Sequence, residues 1–214
     1  MMKLHHFVNR KEQENMSVFL YSGQDYLKTI LVHLPEKVVC HSIRVAKMCR
    51  NMAKYVPDEL LPEGMDREMY RLALYKAAYY HEIGILIARN DVKQRQIYAD
   101  KLMINSWEDC SRIAGEDISS PVSRMMVETV RSCRERYDGQ GYPDAMAGEG
   151  IPFHASLCAI ADMVDMIVGN CNGNPPSRRK VDRAIDFIHR NNGIMFRPDA
   201  VRCFEQAQEE MFEY

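Results

Sequence analysis

Histidines and carboxylates occupy positions on predicted helix faces that otherwise carry apolar residues. His41 lies at three-to-four-residue spacing from valines and methionines, and His81 ends a similar apolar run and is followed by Glu82. Asp162 and Asp165 interrupt the segment 157–168, in which all the remaining residues are apolar. Because a buried carboxylate is costly unless it is paired or bound to a cation, these side chains need an explanation.

Two explanations stay open when only the residues are considered. An inward histidine is commonly a hydrogen-bonded core residue, and His81 and Glu82 can be explained by their place at a helix end. Histidines and carboxylates on converging helices can instead form a site for a transition metal. The pattern suggests such a site without establishing it.

The elements that must position these side chains are helices. Apolar residues recur with helical periodicity nearly everywhere, and no run of alternating β-branched residues is long enough for a sheet, so the chain predicts an all-α bundle with the methionines in its core. The segment 138–152 holds four glycines and two prolines and predicts a long ordered loop. The predicted helices cover residues 16–33, 37–55, 66–82, 92–104, 120–133, 154–169, 178–190 and 198–212.

Composition excludes several classes of protein. The chain has 214 residues, of which 46% are hydrophobic and 27% charged, and its net charge is -2, which favours neither a nucleic-acid nor a membrane surface. No stretch approaches the roughly 20 apolar residues that span a bilayer, and the charged N-terminus lacks a signal-peptide core. The seven cysteines contain no C-x-x-C pair. This pattern is typical of reduced thiols and predicts a cytoplasmic protein.

The order of the motifs resembles the HD superfamily of metal-dependent phosphohydrolases. His41, then His81-Glu82, then Asp162 match its H…HD…D series, and residues 135–143, ERYDGQGYP, are similar to the signature of the HD-GYP branch. Further matches are Gly150-Ile151-Pro152, residues 159–165 and Phe196-Arg197-Pro198, so that the resemblance runs from about residue 36 to 205.

The resemblance implies an HD-type helical bundle with the HD-GYP helical extension over residues 36–214, after an N-terminal helical segment at 1–35. It implies two or three iron or manganese ions that activate water for hydrolysis of cyclic di-GMP. The signature loop, comprising Asp138, Gly139, Gly141, Tyr142 and Pro143, would contact partners such as diguanylate cyclases. Arg178 and Arg179 follow as a possible phosphate contact, since the family commonly has an arginine nearby.

The departures from the family pattern fall on its chemistry. His41, His81 and Asp162 match metal-binding positions, and Glu82 replaces an aspartate. The other expected groups are replaced: the lysine by Ile85, two histidines by Cys133 and Arg134, and a further histidine by Cys110 or the adjacent Ser111. A guanidinium about 4 Å from a divalent ion would cost on the order of 8 kcal/mol at an effective dielectric constant of about 20. We therefore predict that Arg134 pairs with Asp162 or Glu82 and takes the place of the metal charge.

Three functional hypotheses follow. The first is a degenerate HD-GYP pseudoenzyme in cyclic di-GMP signalling that binds a ligand or a partner such as a diguanylate cyclase, with no metal. The second is a phosphohydrolase with a reduced centre that holds at most one divalent iron or manganese ion. The third is an HDOD-type scaffold, which the intact Gly141-Tyr142-Pro143 disfavours. No sensor domain is expected in residues 1–35, and the oligomeric state is not predicted.

Overall fold

The computed structural model describes residues 34–82, 121–169 and 175–212. The predicted helices at 16–33 and 92–104, and nearly all of the segment 1–35, lie outside these residues, so the proposed domain boundary stays a prediction. The described residues form an all-helical structure in which the only β-type pairs are isolated bridges, Asp138 with Ala147 and Asn192 with Phe196. The predicted all-α class is confirmed.

The described α-helices are named in chain order. They are α1 (Glu36–Met52), α2 (Arg67–Tyr79), α3 (Pro121–Ser132), α4 (Phe153–Val168), α5 (Arg178–Arg190) and α6 (Pro198–Phe212). Short 3-10 helices cover Ala53–Tyr55, Asp58–Leu60 and Gly148–Gly150. Each of the six α-helices was predicted within a few residues of its bounds.

Two of these helices, α1 and α2, end three residues earlier than predicted. α1 stops at Met52 and tightens into the 3-10 turn Ala53–Tyr55, because Val56 precedes a proline and adopts an extended conformation. α2 stops at Tyr79, where the N–H of Tyr80 turns back to carbonyls of the last turn. His81 therefore lies in the turn after α2, and its placement on the helix itself was wrong.

The core is centred on α4, which packs against α1, α3, α5 and α6. Of the 16 residues of α4, 12 are buried, including Leu157, Ile160 and Val164. The methionines were predicted for the core, and Met48, Met52, Met125, Met126 and Met211 are buried there, but Met69 and Met166 are exposed, so the prediction was wrong for these two. The five cysteines within the described ranges form no disulfide with one another. None of the helices in these ranges is both long and apolar enough to cross a bilayer.

The predicted loop connects α3 to α4 and is ordered by its own hydrogen bonds. The carboxylate of Glu135 is buried and accepts bonds from the backbone N–H groups of Asp144 and Met146 at 2.7 and 3.0 Å. A Cβ atom at Gly141 would lie 2.3 Å from the backbone nitrogen of Arg136, so only glycine permits this close packing. The loop is therefore held against the main chain that follows α3.

Candidate functional site

His41 projects from α1 toward α4 and is held there by Asp165. Its Nδ1 lies 2.7 Å from Asp165 Oδ2, and Arg44, one turn along α1, donates to both oxygens of the same carboxylate at 2.6 and 2.9 Å. The hydrogen bond at Nδ1 fixes the ring so that Nε2 points away from Asp165. This Nε2 lies 3.0 Å from Asp162 Oδ1.

His81 reaches the same point from the turn after α2. Its side chain is fully buried, and its Nδ1 donates to the carbonyl oxygen of Ala78 at 2.6 Å. Its Nε2 therefore faces the His41 Nε2, at 3.2 Å, and the Asp162 Oδ1, at 3.6 Å. The structure thus brings together the two histidines and the aspartate that match the family's metal positions.

Arg134 follows α3 and closes the cluster from the opposite side. Its guanidinium contacts the second oxygen, Oδ2, of Asp162 and an oxygen of Glu82. Both contacts anticipated from the replacement pattern are present, so that one cation joins α4 to the turn after α2. We call His41, His81, Glu82, Asp162 and Arg134 the candidate centre.

The spacing in the candidate centre fits three ligands of one ion. Ligand atoms about 2.1 Å from one metal at angles of about 90° to 110° lie about 3.0–3.4 Å apart. His41 Nε2 lies 3.0 Å from Asp162 Oδ1 and 3.2 Å from His81 Nε2, which is within this range. His81 Nε2 lies 3.6 Å from Asp162 Oδ1, which corresponds to a wider angle of about 118°. Asp162 Oδ1 is also buried without a hydrogen bond among the described residues. With Glu82 included, one ligand atom from each of the four residues lies within 4.8 Å of the others.

The charged groups perturb one another strongly. Burial disfavours the charged form of His41, but its contacts with Asp162 and Asp165 outweigh burial and raise its pKa to about 9. Burial opposes ionisation of Asp162, but Arg134 and the two imidazoles outweigh it and hold the pKa of that carboxyl far below its usual value. The pKa of Asp165 is lowered against burial by His41 and Arg44. In the absence of a metal, the cluster is therefore a set of paired ions.

The other replaced positions are only partly described. Cys133 is buried beside the candidate centre, and a hydrogen bond with Cys158 together with burial holds the pKa of its thiol well above the usual value. Since the thiolate is the form that ligates metals, Cys133 behaves as a core residue in this environment. Ile85 and Cys110 lie outside the described residues. Of these three replaced positions, Cys133 is the one that the described residues include, and in this environment it offers no thiolate ligand to a further metal.

The signature loop begins beside the candidate centre. The backbone N–H of Tyr142 donates to the carbonyl oxygen of Arg134 at 3.2 Å. Asp138 is exposed and accepts two bonds from Arg136, at 3.0 and 2.6 Å, which orient its carboxylate along the loop. Gly139 has a positive φ of 76° that suits glycine. The loop is thus a defined surface attached to the Arg134 main chain.

Arg178 and Arg179 lie apart from the candidate centre, on the exposed start of α5. Arg178 pairs with Asp182 of the same helix at 2.9 Å. A role in phosphate contact stays a prediction. Sequence reasoning missed Arg44, because an arginine on an amphipathic helix is usually solvated, although its position one turn after His41 was a usable signal.

Comparison with known proteins identifies relatives of this chain. The HD domain family matches residues 25–199. The chain is 30% identical over 144 residues to the cyclic di-GMP phosphodiesterase response regulator RpfG of Xanthomonas campestris pv. campestris. The aligned segment covers 64% of this chain and 36% of that protein. It is 24% identical over 177 residues to a cyclic di-GMP phosphodiesterase of Vibrio cholerae serotype O1, covering 79% of this chain and 36% of that protein.

A solved structure is also similar. It is a crystal structure of a cyclic GMP-AMP specific phosphodiesterase of V. cholerae, V-cGAP3, with a TM-score of 0.49 and 17% sequence identity, covering 79% of this chain and 44% of that chain. The chain thus spans little more than a third of the length of the two curated relatives described above.

Proposed function

The chain belongs to the HD domain family, and on that basis we propose that it is a cyclic di-GMP signalling module that acts by binding a ligand or a partner protein without efficient hydrolysis. The observation that carries this proposal is the position of Arg134. Its guanidinium occupies two carboxylates of the candidate centre, Asp162 and Glu82, which a catalytic metal would otherwise use. The names of the relatives supply the ligand class.

The charge balance of the described residues supports the metal-free form. Three carboxylates, Asp162, Asp165 and Glu82, face two guanidiniums, Arg44 and Arg134. One negative charge remains, and one proton shared by the two imidazoles neutralises it. A divalent ion in place of that proton would leave one positive charge in excess, in a site where opposing charges are only weakly screened.

A second candidate function is favoured by the geometry of the ligand atoms. His41 Nε2, His81 Nε2 and Asp162 Oδ1 have the separations of three ligands on one ion, and both imidazoles are oriented through their Nδ1 atoms. These three residues would hold one divalent iron or manganese ion, and such an ion supplies a nucleophilic water for phosphodiester hydrolysis. For this function, Arg134 would have to turn away from Asp162.

The partner in the first proposal is a signalling protein such as a diguanylate cyclase, bound through the signature loop from Asp138 to Pro143. The loop supports this role because hydrogen bonds to Glu135 and close packing at Gly141 order its main chain, which lowers the conformational entropy lost on docking. A nucleic-acid partner is not proposed, since the net charge is -2. A cytoplasmic location agrees with the reduced cysteines and is part of the proposal.

The experiment combines metal analysis with two assays on the whole chain. Elemental analysis of purified protein is expected to find iron and manganese well below one per chain. Calorimetric titration with cyclic di-GMP is expected to give saturable binding, while incubation with the same nucleotide and with a generic phosphodiester gives no product. Stoichiometric metal together with turnover would establish the second candidate function instead.

If neither nucleotide binding nor turnover is found, capture of a diguanylate cyclase tests the loop. A Tyr142→Ala variant is expected to lose the partner, and Arg190→Gln, which removes an exposed ion pair on α5, serves as the control. Equal capture by the wild type and the Tyr142→Ala variant would contradict docking through the loop.

A further inference from the structure

A second group of polar side chains lines a pocket at the start of α4. The pocket has a volume of about 250 Å³ and is bounded by Glu63 from the connection between α1 and α2, by Arg124, Met125 and Glu128 of α3, and by His154 of α4. None of these residues belongs to the candidate centre. The pocket therefore needs an explanation of its own.

His154 is the unusual member of this pocket. The residue is only 7% exposed, and its Nε2 is buried and makes no hydrogen bond with another described residue. The same atom lies 3.1 Å from Oε2 of Glu128, but the two groups do not meet with hydrogen-bond geometry. A buried polar atom without a hydrogen-bond partner is costly, so we expect this nitrogen to have a partner that the surrounding side chains do not supply, such as a bound ligand or ion.

The separation of these two atoms suits a shared ion. Two ligands about 2.1 Å from one metal lie about 3.0–3.4 Å apart at ordinary coordination angles, and 3.1 Å falls within that range. An imidazole with carboxylates is a donor set for divalent transition metals. Glu63 also lines the pocket with an exposed carboxylate that pairs with no other described residue, so it offers a further carboxylate to an ion held there.

We infer that His154 and Glu128, joined by Glu63, bind a divalent transition-metal ion such as Zn²⁺ at a site separate from the candidate centre. The ion links α3 to α4. Arg134 follows α3 and Asp162 lies on α4. Occupation of the pocket therefore fixes the relative position of the two elements that form the Arg134–Asp162 contact.

Arg124 distinguishes a cation site from an anion site in the same pocket. Its guanidinium repels a metal ion but would attract a phosphate or a carboxylate ligand. An Arg124→Gln variant is therefore expected to bind Zn²⁺ more tightly than the wild type. Weaker Zn²⁺ binding by this variant would overturn the inference.

The test is a calorimetric titration of the whole chain with Zn²⁺, after treatment with a chelator and its removal. The wild type is expected to bind one Zn²⁺ at this pocket, and Glu128→Gln and His154→Gln each weaken that binding at least about tenfold. Glu128 is 41% exposed at its side chain, so its isosteric variant folds even where the His154 variant does not. Zn²⁺ is also expected to raise the melting temperature of the wild type but not of Glu128→Gln.

A matched control is available on α5 and α6, whose residues do not line the pocket. His189 and Glu205 form an exposed pair at 3.2 Å, and Glu205→Gln is expected to leave Zn²⁺ affinity unchanged. Three results would each overturn the inference: no saturable binding below millimolar Zn²⁺, equal binding by the wild type and Glu128→Gln, or binding that is lost in Asp162→Asn but kept in Glu128→Gln. The last result would place the ion in the candidate centre.

Discussion

Replacing Arg134 by glutamine is expected to convert the candidate centre from a set of ion pairs into a metal site. The guanidinium contacts the Oδ2 of Asp162, whose Oδ1 is the prospective ligand, so the cation would lie about 5 Å from a bound divalent ion. At an effective dielectric constant of about 20, the repulsion amounts to about 7 kcal/mol. The Arg134 side chain is 21% exposed and can turn toward water, which lowers the realised gain to about 3 kcal/mol, or roughly 100-fold in affinity.

The same substitution has an opposite effect when no metal is added. It leaves the carboxylates of Asp162 and Glu82 without their cation, and the loss of one partner of such a buried pair costs about 3 kcal/mol. The Arg134→Gln variant is therefore expected to melt at a lower temperature than the wild type in the presence of chelator. Addition of Mn²⁺ at about 100 times its dissociation constant restores about 2.7 kcal/mol, so the melting temperature recovers.

The assay is thermal unfolding with and without Mn²⁺, together with calorimetric titration of the same samples. Arg190→Gln serves as the control, because it removes an exposed arginine that pairs with Asp186 on α5. The argument fails if Arg134→Gln binds Mn²⁺ no more tightly than the wild type, or if the ion does not raise its melting temperature. A wild type that already binds Mn²⁺ tightly would likewise show that Arg134 does not take the place of the metal.

Three further predictions concern stability. The pKa of His41 is raised to about 9 in the metal-free protein, so its charged form contributes about 3 kcal/mol to the free energy of unfolding. This contribution is complete below pH 6.5 and is lost as the pH rises through 9. Urea unfolding in the presence of chelator should show this decline, and the decline should be smaller in His41→Gln. Arg67→Ala should lower the free energy of unfolding by about 2 kcal/mol, because Arg67 donates to the carbonyl of Val56 at 2.6 Å beyond the end of α1; an unchanged urea midpoint would contradict this role. Gly141→Ala should lower the melting temperature because its Cβ would lie 2.3 Å from a backbone nitrogen, whereas Gly150→Ala, with no atom within 4 Å, should not.

The sequence was most informative where periodicity and charge acted together. Helical spacing correctly predicted that His41 and Asp162 lie on inward faces. The permanent positive charge of arginine was the basis for predicting that Arg134 pairs with the carboxylates. The end of α2 was misplaced, because the turn at Tyr80 is set by local backbone hydrogen bonds that carry no apolar periodicity. His154 was not singled out, because its isolation from hydrogen-bond partners depends on how α3 and α4 meet, and no local pattern encodes that.

The close approach of Gly141 to the chain after α3 has a consequence for communication within the molecule. The residue next to it, Tyr142, is tied through its main chain to the carbonyl of Arg134, whose side chain holds Asp162 and Glu82. A partner protein that displaces Tyr142 must either break this hydrogen bond or move the main chain of Arg134. Where the hydrogen bond holds, a contact made at the outside of the loop therefore reaches the buried ion pairs of Asp162 and Glu82 through the main chain of Arg134.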